Sequence, residues 1–180
     1  MTERQRIKIS KYLCLILRHK PQKIGLELDK NAWAGTEELL QKLNINGTKL
    51  SLDELKEVVK NDNKQRFSFS EDYEKIRANQ GHSLDVDLGL AEQEPPEFLY
   101  HGTTERNINS IKENGLNKIT RHHVHLSVDI ETALNVGKRY GKPIVLTVKA
   151  KEMFDAGKTF YLSENGVWLT DFVELDYILF

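Results

Sequence analysis

Arginine and histidine occur together in three separate segments of this 180-residue chain. The segments are residues 17–21 (Leu-Arg-His-Lys-Pro), 76–83 (Ile-Arg-Ala-Asn-Gln-Gly-His-Ser) and 121–127 (Arg-His-His-Val-His-Leu-Ser). An arginine can donate two parallel hydrogen bonds to a phosphate group, and histidine is the side chain whose charge changes near neutral pH. The pattern therefore predicts an active site that handles phosphate groups.

Histidines also cluster at positions 122, 123 and 125, where a metal site has to be considered. His123 and His125 share one face of a predicted strand, so they could bind one ligand together. No carboxylate or cysteine stands near them at a spacing known from zinc sites, so we predict no metal here. With Arg121 in front of it, the cluster is better suited to phosphate and ribose hydroxyl groups.

Each segment taken alone also has an ordinary structural explanation. Arg18 and His19 could simply lie at a solvated helix end, where His19 and Lys20 complement the helix dipole, a contribution of ~0.3–1 kcal/mol. Arg66 could be an exposed charge, residues 80–83 a polar loop that satisfies its own backbone, and residues 100–103 a tight turn. The functional interpretation therefore depends on all the segments together.

The first half of the chain has the pattern of three helices followed by a hairpin. Apolar residues at helical spacing predict a helix over residues 7–17, which Pro21 ends. Thr36 is a plausible N-cap for a second helix, and Ser51 begins a capping box for a third. Residues 66–78 then alternate around a turn, as a hairpin does. This order is typical of a winged-helix domain.

The second half alternates strands with short helices, after an acidic segment that contains Pro95 and Pro96. We predict a helix that Thr104 caps and Gly115 ends, and another from Asp129 to Tyr140. The pattern indicates an α+β lobe with a split or curled sheet. Strands are predicted at residues 98–101, 123–127, 144–148, 167–169 and 173–180.

Composition limits the class of protein without identifying it. The net charge is −1, but residues 1–83 hold 16 Lys+Arg and 12 Asp+Glu, whereas residues 84–180 hold 10 and 15. A mildly basic half joined to an acidic half suggests two lobes with different partners. The single cysteine, Cys14, lies in an apolar run and is expected to be inert. With neither a signal peptide nor an apolar membrane span in the sequence, we expect a cytoplasmic protein.

Six blocks of the sequence carry a more specific signal than any single segment. They are Leu-Arg-His-Lys-Pro (17–21), Arg-Phe-Ser (66–68), Ile-Arg-Ala-x-Gln-Gly-His-Ser (76–83), Tyr-His-Gly-Thr (100–103), Arg-x-x-Val-His-Leu-Ser (121–127) and Glu-Asn-Gly-Val-Trp-Leu-Thr (164–170). In this order, and over nearly the whole chain, they resemble the KptA-type RNA 2′-phosphotransferase family, whose members remove a 2′-phosphate during tRNA splicing with the use of NAD.

The resemblance implies an α+β fold with an N-terminal winged-helix RNA-binding lobe (1–83), a linker (84–96) and a C-terminal ADP-ribosyltransferase-like, NAD-binding lobe with a split β-sheet (97–180). Where related transferases carry a glutamate on a late strand, this chain offers Val173, which fits a nucleophile that is already an anion. The implied catalytic residues are Arg18, His19, Arg66 and Arg121. The implied NAD-binding residues are His101, Gly102, Thr103, His125 and Ser127.

The implied activity is an NAD-dependent RNA 2′-phosphotransferase that acts on an internal 2′-phosphate of tRNA-like RNA. NAD would be consumed as a co-substrate, no metal is expected, and we expect a monomer. The products would be RNA with a free 2′-hydroxyl, nicotinamide and ADP-ribose 1″,2″-cyclic phosphate. Two alternatives stay open: an ADP-ribosyltransferase that modifies nucleic-acid phosphate ends, and a non-enzymatic, NAD-sensing winged-helix protein that binds DNA.

Overall fold

Helices and small antiparallel sheets alternate along the chain in the computed structural model, which describes all 180 residues. The chain divides into two units, Met1–Gly89 and Leu90–Phe180, and each has its own hydrophobic core. The division falls within the segment predicted as a linker, residues 84–96. Both units combine helices with antiparallel strands, which confirms the predicted α+β class.

The first unit consists of three helices and a small antiparallel sheet. The elements are α1 (Glu3–Arg18), β1 (Ala34–Gly35), α2 (Thr36–Ile45), α3 (Leu52–Lys60), β2 (Phe67–Phe69) and β3 (Lys75–Ala78), and a 3₁₀ turn (Pro21–Ile24) follows α1. The strand order of the sheet is β1-β3-β2. Buried apolar side chains from α1, such as Leu13 and Leu17, pack in one core with Leu39, Leu55 and Ile76.

Local signals explain where these helices begin. The capping box predicted at Ser51 is confirmed, because the Ser51 hydroxyl accepts from the Glu54 N–H while the Glu54 carboxylate accepts from the Ser51 N–H. The predicted cap at Thr36 is wrong: Gly35 is the cap residue, and Thr36 is the first residue of α2. The Thr36 N–H instead donates to the Glu74 carbonyl beside the hairpin, at 2.8 Å.

The second unit consists of short helices and antiparallel strands. The elements are β4 (Leu99–Thr104), α4 (Ile108–Asn114), β5 (Leu116–Asn117), β6 (Val124–Leu126), α5 (Ile130–Gly137), β7 (Pro143–Val148), α6 (Ala150–Asp155), β8 (Tyr161–Leu162), β9 (Trp168–Thr170), β10 (Phe172–Val173) and β11 (Ile178–Leu179). Two three-stranded sheets have the orders β11-β7-β4 and β6-β9-β8, and β5 and β10 form a separate pair. A single pair, Tyr100 and Ser127, joins the two larger sheets by exchanging two backbone hydrogen bonds of 2.8 Å.

Two helix signals in this unit are confirmed and two are wrong. Asp129 caps α5 by accepting from the Thr132 N–H, and Gly115, with a φ of 67°, ends α4. Thr104 instead ends β4, and its hydroxyl makes no capping bond. α5 stops at Gly137 rather than Tyr140, since glycine weakens a helix and turn hydrogen bonds follow it before β7.

The predicted strand over residues 173–180 is also wrong as a single element. β10 pairs with β5, whereas β11 pairs with β7, so the chain has to pass from one sheet to another between them. A 3₁₀ turn, Leu175–Tyr177, makes that change of direction. None of the helices has the length and apolar character needed to cross a membrane.

Helix α5 lies so close to β4 that two glycines are required at the contact. A Cβ atom at Gly102 would lie 1.8 Å from the carbonyl oxygen of Ala133. One at Gly137 would lie 2.5 Å from the carbonyl oxygen of Thr103 and 3.0 Å from Cβ of Pro143. This contact holds the strand that carries the block Tyr-His-Gly-Thr.

We expect Gly137→Ala to destabilise the protein by about 1–3 kcal/mol, because the added methyl group has to push α5 away from β4. Urea unfolding followed by circular dichroism would measure the loss. Asn135→Ala is the matched control, since Asn135 is exposed on the same helix and alanine favours helix. An unfolding midpoint for Gly137→Ala equal to that of the control would contradict this account of the packing.

Candidate functional site

Arg18 and His19 lie at the C-terminal end of α1, and Ser83 fixes that end. The Ser83 N–H donates to the carbonyl of Arg18 at 3.0 Å, which satisfies one of the carbonyls that a helix end leaves without a partner. The Ser83 hydroxyl lies 3.0 Å from Nδ1 of His19. The blocks 17–21 and 76–83, which are far apart in sequence, therefore meet at this helix end.

Arg66 is held from two sides just before β2. The Asp62 carboxylate, of which 5% is exposed, accepts from the guanidinium of Arg66 and, at 2.6 Å, from its backbone N–H. Asn79 donates its backbone N–H to the carbonyl of Arg66 and its side-chain amide to the carbonyl of Gln65. These bonds fix both the backbone and the side chain of Arg66.

The positive charges of Arg18 and Arg66 both act on Cys14 in the first unit. Burial raises the pKa of the Cys14 thiol, and the positive charges of both arginines oppose that shift, while Asp62 adds to it. Cys14 is half-buried and its pKa is raised, so it is not an activated thiolate. Arg18 and Arg66 are thus both near enough to Cys14 for their charges to act on it, and together with His19 they are named here the basic cluster of the first unit.

His101 and His125 form the centre of a second cluster, in the second unit. Nδ1 of His101 lies 3.0 Å from the carbonyl oxygen of His125, and since a carbonyl only accepts, this nitrogen carries the proton. Burial lowers the pKa of His101, the charge of Arg121 lowers it further, and the hydrogen bond to His125 opposes the shift. His101 is therefore neutral at pH 7 and presents Nε2 as an acceptor.

His125 has the opposite tautomer. A guanidinium nitrogen of Arg121 lies 2.7 Å from Nδ1 of His125, and since a guanidinium only donates, Nδ1 accepts and Nε2 carries the proton. One imidazole thus presents an acceptor at Nε2 and the other a donor. Such a pair suits a sugar hydroxyl group, which both donates and accepts.

Gly102 lies where the two sheets separate. Tyr100 directs its peptide groups toward Ser127, so by the alternation of a strand Gly102 directs its own to the same side, away from β7. No backbone hydrogen bond continues the pairing there. The need for glycine at this position comes from the Ala133 carbonyl of α5.

The remaining predicted residues have supporting contacts or lie in the core. The Thr103 hydroxyl is buried and accepts from the Asn107 amide at 3.3 Å, and Ser127 is fixed through its backbone to Tyr100. Val173, suggested as the counterpart of a glutamate, is fully buried in the hydrophobic core of this unit.

The histidine cluster around residue 123 is not arranged as a metal site. The His123 ring meets the edge of Tyr161, with ring centres 5.6 Å apart, and burial lowers its pKa against the opposing charge of Asp171. Nowhere do three metal-binding side chains converge.

The sequence did not single out the residues that orient these side chains. Asp62 stands four residues before Arg66, a spacing that signals an ion pair only within a helix, and here the two residues follow α3 in a loop. Asn79 occupies the position left unspecified in the block 76–83. Ser83 belongs to that block, but its contact with α1 depends on tertiary structure.

The neutral state of His101 predicts a pH dependence of stability. Because the pKa of His101 is lower in the folded chain than in the unfolded chain, the unfolded chain binds more protons at this residue below about pH 6.5. The free energy of unfolding therefore falls as the pH decreases. We expect a slope of at most ~1.4 kcal/mol per pH unit from this group, measured by urea unfolding between about pH 7.5 and about pH 5. His101→Gln keeps a donor for the His125 carbonyl and should flatten the slope, and an unchanged slope would refute the assignment.

Comparison with known proteins identifies the family of this chain. A family model described as RNA 2′-phosphotransferase, Tpt1 / KptA family, matches residues 4–172. A probable RNA 2′-phosphotransferase of Flavobacterium johnsoniae is 54% identical over 172 residues, 96% of this chain and 94% of that protein. Proteins of the same name from Herpetosiphon aurantiacus and Fusobacterium nucleatum are each 50% identical, over 99% and 97% of this chain and 98% of their own lengths. The chain therefore belongs to the Tpt1 / KptA family of RNA 2′-phosphotransferases.

Proposed function

We propose that the protein is an NAD-dependent RNA 2′-phosphotransferase that removes an internal 2′-phosphate from RNA. The observation that carries the proposal is the bonded series Arg121–His125–His101, which joins a phosphate-binding guanidinium to two imidazoles with opposite tautomers. The names of the relatives, which cover nearly the whole chain, support the same reaction.

The element order supports a winged-helix assignment for the first unit and an ADP-ribosyltransferase-like assignment for the second. In the first unit, three helices are followed by a hairpin whose strand β3 also pairs with β1. In the second, two three-stranded sheets share one bridging pair and then separate. We propose that residues 1–83 bind the RNA, that residues 97–180 bind NAD, and that each unit contributes one group of residues to the reaction.

The edge of β4 suits the nicotinamide end of NAD. A carboxamide has one acceptor oxygen and an NH₂ donor, which is the complement of the N–H and C=O of Gly102 on its open side. The neutral imidazoles of His101 and His125 can then hold the hydroxyl groups of the adjacent ribose. Thr103 and Ser127 lie next to these residues in sequence and complete the proposed NAD-binding set.

In the proposed first step, a 2′-phosphate oxygen attacks C1″ of the nicotinamide ribose. The new C–O bond forms as the C–N bond breaks, and nicotinamide leaves with the electron pair. The nucleophile is already an anion, so the step needs orientation and charge compensation more than a base. This is consistent with the absence of a carboxylate at Val173.

In the second step, O2″ of the same ribose attacks the phosphorus atom and the P–O2′ bond breaks. O2″ loses its proton and O2′ gains one, so the RNA keeps O2′ as a hydroxyl group, and ADP-ribose 1″,2″-cyclic phosphate is released without a net change in protons. Charge builds on the phosphate oxygens in this step, where the paired donors of Arg18 and Arg121 help most. We propose that His19 supplies a hydrogen bond or the proton.

The direct test is to incubate the protein with NAD and a short RNA that carries one internal 2′-phosphate, and to resolve RNA and nucleotide products together. We expect RNA with a free 2′-hydroxyl and ADP-ribose cyclic phosphate. ADP-ribosylated RNA alone would favour the end-modifying transferase instead. Sequence-specific binding of duplex DNA without nicotinamide release would favour the NAD-sensing regulator, and either result would reject the proposal.

Removing the Arg121 guanidinium should separate the two steps. We expect Arg121→Ala to slow the second step by roughly 10²–10³-fold, the usual loss of one donor to a developing oxyanion, so that ADP-ribosylated RNA accumulates. Gel separation of the RNA species over time measures this. Arg139→Ala removes another exposed arginine from the same unit and is the control. Unchanged turnover, or loss of both steps with no intermediate, would contradict the role given to Arg121.

A further inference from the structure

We propose that a groove in the first unit binds the single-stranded RNA next to the 2′-phosphate, an inference that rests on the proposed function and extends it. The groove has a volume of about 340 Å³ and lies between α1 and the segment that joins α3 to β2. It is named here the α1 groove. Its lining includes Arg6, Ile7, Lys11, Asn63, Lys64 and Arg66.

The α1 groove contains one of the proposed catalytic residues and leads toward another. Arg66 belongs to its lining, and Ile7, Lys11 and Cys14 line it from α1. These α1 residues are spaced by four and three positions, and Arg18 follows Cys14 after four more, so all lie on one stripe of the helix. From Ile7 to Arg18 the stripe rises roughly 16 Å at about 1.5 Å per residue, which exceeds a single nucleotide.

The charges of the groove favour a polyanion. Four cations line it, Arg6, Lys11, Lys64 and Arg66, against two carboxylates. One of the carboxylates, Asp62, is bonded to Arg66, and Arg6 lies 3.9 Å from the carboxylate of Glu57, which is outside the lining. This excess occurs in a chain whose net charge is −1, and phosphodiester groups are the ligands for which such an excess provides affinity.

The rest of the lining suits a nucleotide rather than an isolated phosphate. Ile7, Cys14 and Val58 give the groove an apolar part, against which a base or ribose can pack. Asn63 and Ser10 add an amide and a hydroxyl, which can bond to base edges or to a ribose 2′-hydroxyl. A mixture of cations, small polar groups and apolar surface is what single-stranded nucleic acid requires.

Another basic side chain of this unit has a structural role instead. The Arg77 guanidinium lies 4.5 Å from the centre of the Trp33 ring and donates to the Leu88 carbonyl at 3.2 Å. It does not line the α1 groove. The RNA path therefore follows the Arg6 and Lys11 side of α1, and Arg77 is not on it.

The test compares two substrates that carry the same internal 2′-phosphate, one of minimal length and one with single-stranded flanks on both sides. The variant is Arg6→Ala combined with Lys11→Ala. Lys8→Ala is the matched control, because Lys8 is exposed on the same helix and does not line the groove. We expect the preference of wild type for the long RNA, as the ratio of kcat/KM values, to fall about tenfold in the double variant and to persist in the control.

A binding measurement separates this inference from the proposed reaction. Fluorescence anisotropy with a long RNA that has no 2′-phosphate should give a weaker Kd for the double variant, with a salt dependence reduced by roughly 1.4 in log–log slope. Circular dichroism checks that the variants are folded. Equal losses on short and long substrates, or the same loss in Lys8→Ala, would overturn the groove as an RNA path. A wild-type protein inactive on both substrates would reject the proposed function, while the anisotropy result would still decide the groove.

Discussion

Two backbone hydrogen bonds between Tyr100 and Ser127 are the constraint on which the site of the second unit depends. They join two sheets at one residue pair and no further. Because the strands separate beyond that pair, the peptide groups of Gly102 have no strand partner, yet His101 still reaches the carbonyl of His125. A ladder continued by one more pair would satisfy Gly102 and remove the open edge. The close contact of α5 with one face of β4 constrains the strand that carries this open edge.

The arginines of the two clusters are oriented by partners of different charge. Arg66 is bonded to the Asp62 carboxylate, which fixes the guanidinium but balances part of its charge. Arg121 is bonded to a neutral imidazole, which fixes it without balancing any charge. The charge of Arg121 is therefore less compensated than that of Arg66, which favours a larger part for Arg121 in the proposed charge-building step.

Features set by neighbouring residues were predicted well from the sequence, and features set by distant contacts were not. The capping box at Ser51, the cap at Asp129 and the stop at Gly115 follow from local chemistry, and all three are confirmed. Thr36 failed as a cap because its N–H bonds to a hairpin far along the chain. The strand over residues 173–180 failed because its two ends pair with different sheets. The resemblance identified the candidate site residues, but neither tautomer follows from residue identity, since each is fixed by a partner that only folding provides.

His19, His101 and His125 each have a different hydrogen-bond partner, and the partner determines whether the ring can readily gain a proton. His101 donates to a carbonyl and is kept neutral by burial, and His125 has to stay neutral for Nδ1 to accept from Arg121. Neither can gain a proton without a cost, since one would charge a buried ring and the other would lose its bond to a cation. Nδ1 of His19 instead faces the Ser83 hydroxyl, which can donate or accept and so tolerates both protonation states. In the proposed second step, His19 is therefore the histidine better suited to supply the proton, and the arginines are suited to bind the phosphate.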